Sequence, residues 1–405
     1  MEKSAKMKYA IKIVFFVLIA STSLLAYADT EITGNYKVTG IGMGPAFKGT
    51  SEHIEQAFVL NTVRLKASSD FGEKFFFDFA YDLSVNYTHI NDLNSTDLTD
   101  SGLFKYRAYD LDPDLKTHEI SQTNILNANQ NIDRACFTYS TENLDFFVGR
   151  QAVSFGSARF INPTDVLVPY ALTRIDKETR EGVDALRLKV PISEMGEFDT
   201  GVVFGKQGKN RNNAYYLNVK YPVLNWDTSV MVMQFRENML LGLDLQGEIS
   251  GVGIWFESAH VRIKDSGDYN RSSMGLDFNF PWDLYTFVEY YYNGAGTAKS
   301  EDYYSNSSTK PYTDGGVYLL GRHYLTFGLT YEISPLIGFS QSVIVNLNDS
   351  SFLFSPKIEY NIFKNQYIDF GIFLGIGEAS SNQFNLQSEF GAYQDSAYVG
   401  YRVYF

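Results

Sequence analysis

The sequence predicts a single antiparallel up-and-down β-barrel of about eighteen strands, of the type that spans a bacterial outer membrane, with sixteen as the alternative count. Three observations carry this. Apolar and polar residues alternate with a period of two over long stretches. The connections between the stretches are short and long by turns. The chain begins with the features of a secretory leader and ends on an aromatic residue.

The last strand shows the alternation most clearly. Ala397, Val399, Tyr401, Val403 and Phe405 make one apolar face, and Tyr398, Gly400, Arg402 and Tyr404 the other. In 75–87, Phe75, Phe77, Phe79, Tyr81, Leu83, Val85 and Tyr87 oppose Phe76, Asp78, Ala80, Asp82, Ser84 and Asn86. The same rule gives strands near 35–43, 56–68, 73–88, 131–140, 145–154, 182–190, 198–206, 213–221, 227–236, 239–249, 252–263, 271–280, 283–293, 321–333, 336–348, 351–362, 366–377 and 394–405. Every even-numbered connection is short, whereas the long ones, 89–130, 155–181, 294–320 and 378–393, are all odd-numbered. A barrel with both termini in the periplasm, short turns there and longer loops outside has this pattern.

Lys3, Lys6, Lys8 and Lys12 precede an apolar stretch from Ile13 to Leu25, and Ala26-Tyr27-Ala28 suits cleavage. Residues 1–28 therefore read as a signal peptide and 29–405 as one barrel domain. Losing the leader moves the net charge from -13 to -16, because four lysines and Glu2 go with it. This acidic balance argues against nucleic-acid partners. Aromatic residues make up 16% of the chain, more than a soluble core of this size needs and in keeping with lipid-facing strands and interfacial girdles. Phe405, at the end of the closing strand, is expected at the periplasmic girdle facing lipid.

No cofactor or metal site is expected. Cys136 stands alone, and the histidines at 53, 89, 118, 260 and 323 have no ligand spacing. The acidic run Asp110-Leu111-Asp112-Pro113-Asp114, with Asp92, Asp97 and Asp100 upstream, fails the EF-hand pattern and reads as a solvated loop. Gly201 to Gln207 is one residue short of a phosphate loop and lies on a strand. No nucleophile motif supports an enzyme, although His89, His260 and His323 have hydroxyl or acidic neighbours.

Residues 148–188 depart from the ladder. They contain Val148-Gly149-Arg150-Gln151, Phe155-Gly156-Ser157-Ala158-Arg159, Asn162-Pro163-Thr164-Asp165 and Arg180-Glu181-Gly182-Val183-Asp184-Ala185-Leu186-Arg187-Leu188. The stretch resembles the "GRQ…(W/F)G…R…" and "R.G.DALR" pattern of outer-membrane porin-like proteins grouped with alginate-export channels. That resemblance implies an eighteen-stranded barrel with a charged lumen that passes a polar solute. The chain departs from it in the Asn162 to Asp165 insertion and in its acidic second half.

Read from its residues alone, the 155–181 loop carries apolar Leu167, Val168, Leu172 and Ile175 beside the run Arg174 to Arg180. An exposed loop has little reason to be so apolar. It either folds into the lumen as a constriction bearing Arg159, Asn162, Asp165, Arg174, Asp176 and Arg180, or packs outside on its neighbours. The alternation also assigns lumenal charge. The earlier strands turn Arg64, Lys66, Arg134, Arg150, Arg187, Lys189 and Lys220 inward, with Asp78 and Asp82 as exceptions. The later ones turn Asp244, Glu248, Asp277, Glu289, Glu332, Glu359 and Asp369 inward, with Lys357 and Arg402 as exceptions. A basic wall would then face an acidic one. The expected function is passive passage of small polar solutes, saccharides or organic ions among them, through an outer-membrane channel. Its expected partners are the membrane lipid, the barrel-assembly machinery and the solute. A sheath or export conduit serving a periplasmic or lipoprotein partner, and an outer-membrane enzyme, are the alternatives.

Overall fold

Alternating side chains become a wall when each strand finds its neighbour's backbone. The computed structural model describes residues 29–45, 48, 56–90, 106–121, 123–169, 171–264, 266–380 and 385–405; the leader read at 1–28 lies outside them. The strands are β1 (Asp29–Met43), β2 (Gln56–Asp70), β3 (Phe75–Ile90), β4 (Asp114–Ser121), β5 (Asn124–Ser140), β6 (Asp145–Gln151), β7 (Val183–Pro191), β8 (Glu197–Phe204), β9 (Ala214–Val223) and β10 (Trp226–Phe235). They continue as β11 (Asn238–Ile249), β12 (Val252–Ile263), β13 (Gly267–Phe280), β14 (Leu284–Asn293), β15 (His323–Ser334), β16 (Ile337–Asn346), β17 (Phe352–Phe363), β18 (Gln366–Ile376) and β19 (Ser396–Tyr404).

The strand pairs are antiparallel, and β19 pairs back with β1 from Met43↔Ser396 to Asn35↔Tyr404, so the sheet closes. Eighteen strands make the barrel, because β5 pairs with β3 along its whole length and β4 is an addition to its other edge. β4 meets β5 at Asn124 to Asn129, above the stretch where β6 pairs with Ala135 to Ser140. The 89–130 segment, expected as a loop, instead contains β4 and the first residues of β5. β4 and the start of β5 project past the apolar band, and β4 is exposed on nearly every residue. A strand wetted on both faces has no reason to alternate.

Outward residues such as Leu83, Val85, Leu276, Phe327, Phe370 and Val399 are exposed, while Arg64, Arg271, Glu289 and Asp369 on inward positions are buried. That inversion is what a barrel in lipid requires. Short hairpins close with two residues in the left-handed region, as at Leu224-Asn225 and Arg236-Glu237. In β5 the register slips between Ile132 and Arg134, leaving Asp133 as an extra residue. This bulge lets Asp133 and Arg134 both face the lumen.

The core lies inside the barrel, in the half away from the termini. One cluster joins Val203, Met233, Leu240, Val261 and Ile263 of β8 to β12 to Val153, Phe155, Val166 and Leu167 of the β6–β7 connection. A second joins Tyr291, Tyr324, Ile344, Leu353, Phe373 and Tyr398 to Ile161, Leu172, Leu319 and Phe390.

At the closing seam, Phe405 exchanges backbone hydrogen bonds with Gly34 at 2.7 and 3.0 Å. The Phe405 ring lies over Gly34 and is 61% exposed, so it faces outward at the terminal rim. A Cβ at position 34 would come within 2.6 Å of that ring. Gly34→Leu should therefore lift Phe405 off the wall and lower the thermal stability and the folded yield of the refolded barrel; heat-modifiability on gels measures both.

Candidate functional site

β6 and β7 are short, and the chain between them does not bridge them directly. It leaves the top of β6, crosses the lumen to β11–β14, passes β19 and β1, and returns to β5 and β7. Ser157 bonds Asp244 of β11. The Arg159, Phe160 and Ile161 N–H groups donate to the Glu289 carboxylate of β14 at 2.9, 3.1 and 2.9 Å. The Trp255 indole of β12 donates to it as well, at 3.2 Å. Glu257 of β12 accepts the Thr164 N–H at 2.7 Å, the Thr164 hydroxyl at 2.6 Å and the Ala158 N–H at 3.3 Å. Gly156 (φ +89°) passes so close that a Cβ would sit 2.5 Å from the Glu257 carboxylate. Arg271 of β13 donates to the Pro163 carbonyl, and Ser273 to that of Ile161 at 2.5 Å.

The return arm is tied by charge. Asp176 and Glu178 meet Lys37 of β1 at 2.8 and 2.6 Å, and Glu178 also meets Arg402 of β19. Arg180 clamps Asp165 across the two arms. The Gly182 N–H ends on Asp133 at 3.0 Å, and Arg134 donates to the Arg180 carbonyl at 2.5 Å.

On one side of this loop is a cavity of about 950 Å³, bounded by β1–β3 and β15–β19. Its wall carries Thr39, Thr62, Ser84, Ser340, Ser342 and Ser355, with Lys37, Arg64, Arg402, Asp82 and Asp369; the loop contributes Arg159, Arg174, Asp176, Lys177 and Glu178. Lys177 stands over the Phe160 ring at 5.9 Å and makes no ion pair among the described residues. A second cavity of about 580 Å³ lies on the other side, with Lys220, Asp227 and Asp244 in its wall.

The loop residues named from the sequence are therefore together inside the barrel. Arg159 bonds Asp277 at 2.7 Å and stands 5.0 Å over Trp255. Asn162 accepts the Asp165 N–H at its carbonyl, and Arg174 donates to the Asp176 carbonyl. On the strands, Arg64 pairs with Asp82 and Asp133, Arg134 with Asp133, Arg187 with Asp199, and Lys189 with Glu197. Lys66 and Lys220 share the inward rows of β2 and β9 with Arg64 and Asn218, which are buried. Glu359 and Asp369 meet Arg402, and Lys357 meets Glu359. Glu332 is exposed beside the short β15–β16 turn, at the end of the barrel that carries the termini.

Two expectations change. The basic wall is largely neutralised, because Asp133, Asp199 and Glu197 lie within ion-pair reach of its cations. Arg150 does not line the cavity. It follows the exposed Phe146 and Val148 on β6, so alternation turns it outward. There it is covered by the segment before β4 and bonded to Asp184, Asp110 and the Tyr109 carbonyl. Asp110, read as part of a solvated loop, is thereby engaged by Arg150 and by Arg107. Among the described residues no cluster of three His, Cys, Asp or Glu could hold a metal, and Asp92, Asp97 and Asp100 lie outside them.

Glu257, Arg271, Trp255 and Asp133 were not singled out from the sequence. The signal for the first group was present. The inward face of β12 reads Trp255, Glu257, Ala259, Val261 and an inward-turned Ile263, too apolar for a wall that meets only water.

Outside the spanning strands, Glu389 pins the loops over the second cluster. It accepts from the Leu320 N–H at 2.9 Å, Asn346 at 2.8 Å and the Tyr324 hydroxyl. Asp349 beside it takes the Glu389 N–H and the Tyr303 hydroxyl. Burial, with Asp349 adding to it, pushes the Glu389 carboxyl from about 4.5 up to about 7.

Two predictions follow from this geometry. Glu289→Ala would orphan four donors, two of them in buried hydrogen bonds, costing on the order of 3 kcal/mol. It should lower the thermal midpoint of the refolded barrel and open the loop to trypsin at Lys177. The second concerns pH. A raised carboxyl pKa favours the folded latch while the group is protonated, and that advantage is lost as pH rises from about 4.5 through about 7. Hydrogen exchange in 294–320 should therefore speed up across that window beyond the intrinsic rate, and Glu389→Gln should flatten the change.

No family model matches the chain, and no curated protein does. Among solved structures it is similar to Pseudomonas aeruginosa OccK2 (OpdF), with a TM-score of 0.55 and 9% identity over 93% of this chain and 98% of that one. It is likewise similar to Pseudomonas aeruginosa OccK7 (OpdD), with a TM-score of 0.55 and 12% identity over 93% and 99% of the two chains. Acinetobacter baumannii OccAB1 follows at 0.51 and 9%, over 93% and 96%. OccK2 has also been solved in complex with glucuronate. At such identities the likeness is one of fold, and the fold of this chain is a closed eighteen-strand antiparallel barrel of the bacterial outer-membrane type.

Proposed function

We propose that the protein is a bacterial outer-membrane channel through which small polar solutes pass passively. The observation that carries this reading is the loop folded through the lumen beside a charged, hydroxyl-rich cavity of about 950 Å³. A lumen occupied by its own loop suits a selective channel better than a sheath around a folded partner. His89 engages Asn124, His260 lies between Asn270 and Asp268 on the exposed surface, and His323 engages Tyr290; none is bonded to a serine hydroxyl among the described residues, which gives no support to the enzyme alternative.

The solute class we favour is a small sugar or organic ion bearing a carboxylate. Lys177 offers it a cation that no carboxylate holds among the described residues, whereas Lys357 and Lys37, also in the cavity wall, are already paired with Glu359 and with Asp176 and Glu178. The glucuronate bound by OccK2 supports the same class. A relation to alginate-export channels rests on the Val148 to Leu188 pattern alone. Export by way of the 1–28 leader, a single barrel domain from 29 and insertion by assembly machinery that reads Phe405 complete the reading.

Single-channel conductance of the refolded protein tests it. Deleting residues 162–178 should raise conductance several-fold and raise the sugar size limit in liposome swelling. Lys177→Glu should move the reversal potential in a KCl gradient toward cation selectivity, less so at 1 M salt, where the Debye length is about 3 Å. Conductance unchanged by the deletion, with the barrel intact, would overturn the channel reading.

A further inference from the structure

The outer wall carries a second candidate site, unrelated to the lumen. On the lipid-facing side of β6–β11 there is a groove of about 640 Å³. Its sides are Leu186, Leu188, Leu217 and Val232, and its floor is the shorter Thr200 and Val202 of β8. The Thr200 hydroxyl is satisfied by the Tyr216 carbonyl at 2.7 Å, so the floor offers no unmet hydrogen bond. Tyr215 stands at the upper end of the groove, and its hydroxyl reaches Asn210 in the β8–β9 connection at 3.4 Å.

That connection, 205–213, contains Lys206, Lys209 and Arg211 and no acidic residue, in a chain of net charge -13. All three cations are exposed, and none makes an ion pair among the described residues. The connection is held by its own bonds: Asn213 accepts the Gly205 N–H at 3.0 Å, and Asn212 donates to the Lys206 carbonyl at 3.1 Å. The Gln207 N–H is anchored on the Ala108 carbonyl at 3.0 Å. The result is an ordered backbone bearing three exposed cations at the Tyr215 end of the groove, whose rim also carries Glu237, already paired with Lys264.

We infer that this groove and the cations over it bind a phosphorylated, multiply acylated lipid of the outer leaflet. The acyl chain fills the groove between β7 and β10, and the phosphate meets Lys206, Lys209 and Arg211. Charge selects this occupant over a second copy of the chain, because two copies meeting at this groove about a two-fold axis would set the same three cations against each other, whereas a phosphate complements them. The inference uses the membrane orientation of the proposed function but not its channel activity, so each can fail alone.

The test uses the full barrel in detergent, with diphosphorylated hexa-acyl lipid A as the probe and binding followed by native mass spectrometry. Lys206→Ser, Lys209→Ser and Arg211→Ser together should weaken binding about tenfold or more, as should removal of both phosphates from the lipid. Val202→Trp, which fills the groove and leaves the charges, should weaken binding to a similar degree. Neither variant should alter single-channel conductance, which also shows that each folds. Equal affinity in the triple variant, or for the dephosphorylated lipid, would overturn the proposal. So would a dimer of the free barrel in light scattering that Val202→Trp abolishes, because the groove would then belong to a second copy.

Discussion

The architecture of the lumen depends on two buried carboxylates that hold chiefly backbone. Glu257 and Glu289 stand on the inward rows of β12 and β14, either side of β13, and between them take six donors from the entering loop, five of them backbone N–H groups. A loop crossing the interior of a barrel has N–H groups that no sheet satisfies and little water to satisfy them. A buried carboxylate, for its part, is costly unless donors surround it. Each problem solves the other, and charge-assisted bonds of this kind are stronger than neutral ones. Trp255 closes the arrangement, donating to Glu289 from one edge while its face carries Arg159.

Once the loop is fixed there, the rest of the interior follows. Its apolar residues meet the apolar upper rows of β7–β13 and β14–β19, which removes water from that half of the barrel. Space is left beside β1–β3 and β15–β19, where the inward rows are short hydroxyls and charges. The return arm ties Asp176 and Glu178 to Lys37 and Arg402 and its Gly182 N–H to Asp133, so most groups that bound the cavity are fixed and Lys177 is the exception. The hinges coincide with the residues that stand out in the sequence: Gly156 and Gly182 allow the close passes, and Arg180 with Asp165 locks the arms.

The strand ladder was legible because alternation is local. A strand between lipid and lumen must change polarity at every residue, and 75–87 or 396–405 show that without any knowledge of their partners. The alternation also showed the eighteen barrel strands and the sides of the short and long connections. It was silent on β4, where both faces meet water, and it misled at Arg150. That side chain is outward by register, yet it is sheltered by a segment more than thirty residues away in the chain, at Tyr109 and Asp110. The in-folding of the 155–181 loop could be suspected from Leu167, Leu172 and Ile175, but those residues suit an outside packing equally well.

The sequence by itself determined that this chain is a lipid-facing barrel with an unusual loop after β6, since period, loop length and composition are properties of neighbours along the chain. Only the tertiary structure decided where the charges act. Asp133 enters the lumen through a one-residue bulge, Asp199 neutralises Arg187 across the ladder, and Lys177 has no carboxylate partner among the described residues. Ion pairing depends on distances of a few ångströms between residues far apart in the chain, and closure of the barrel is what brings them together or keeps them apart.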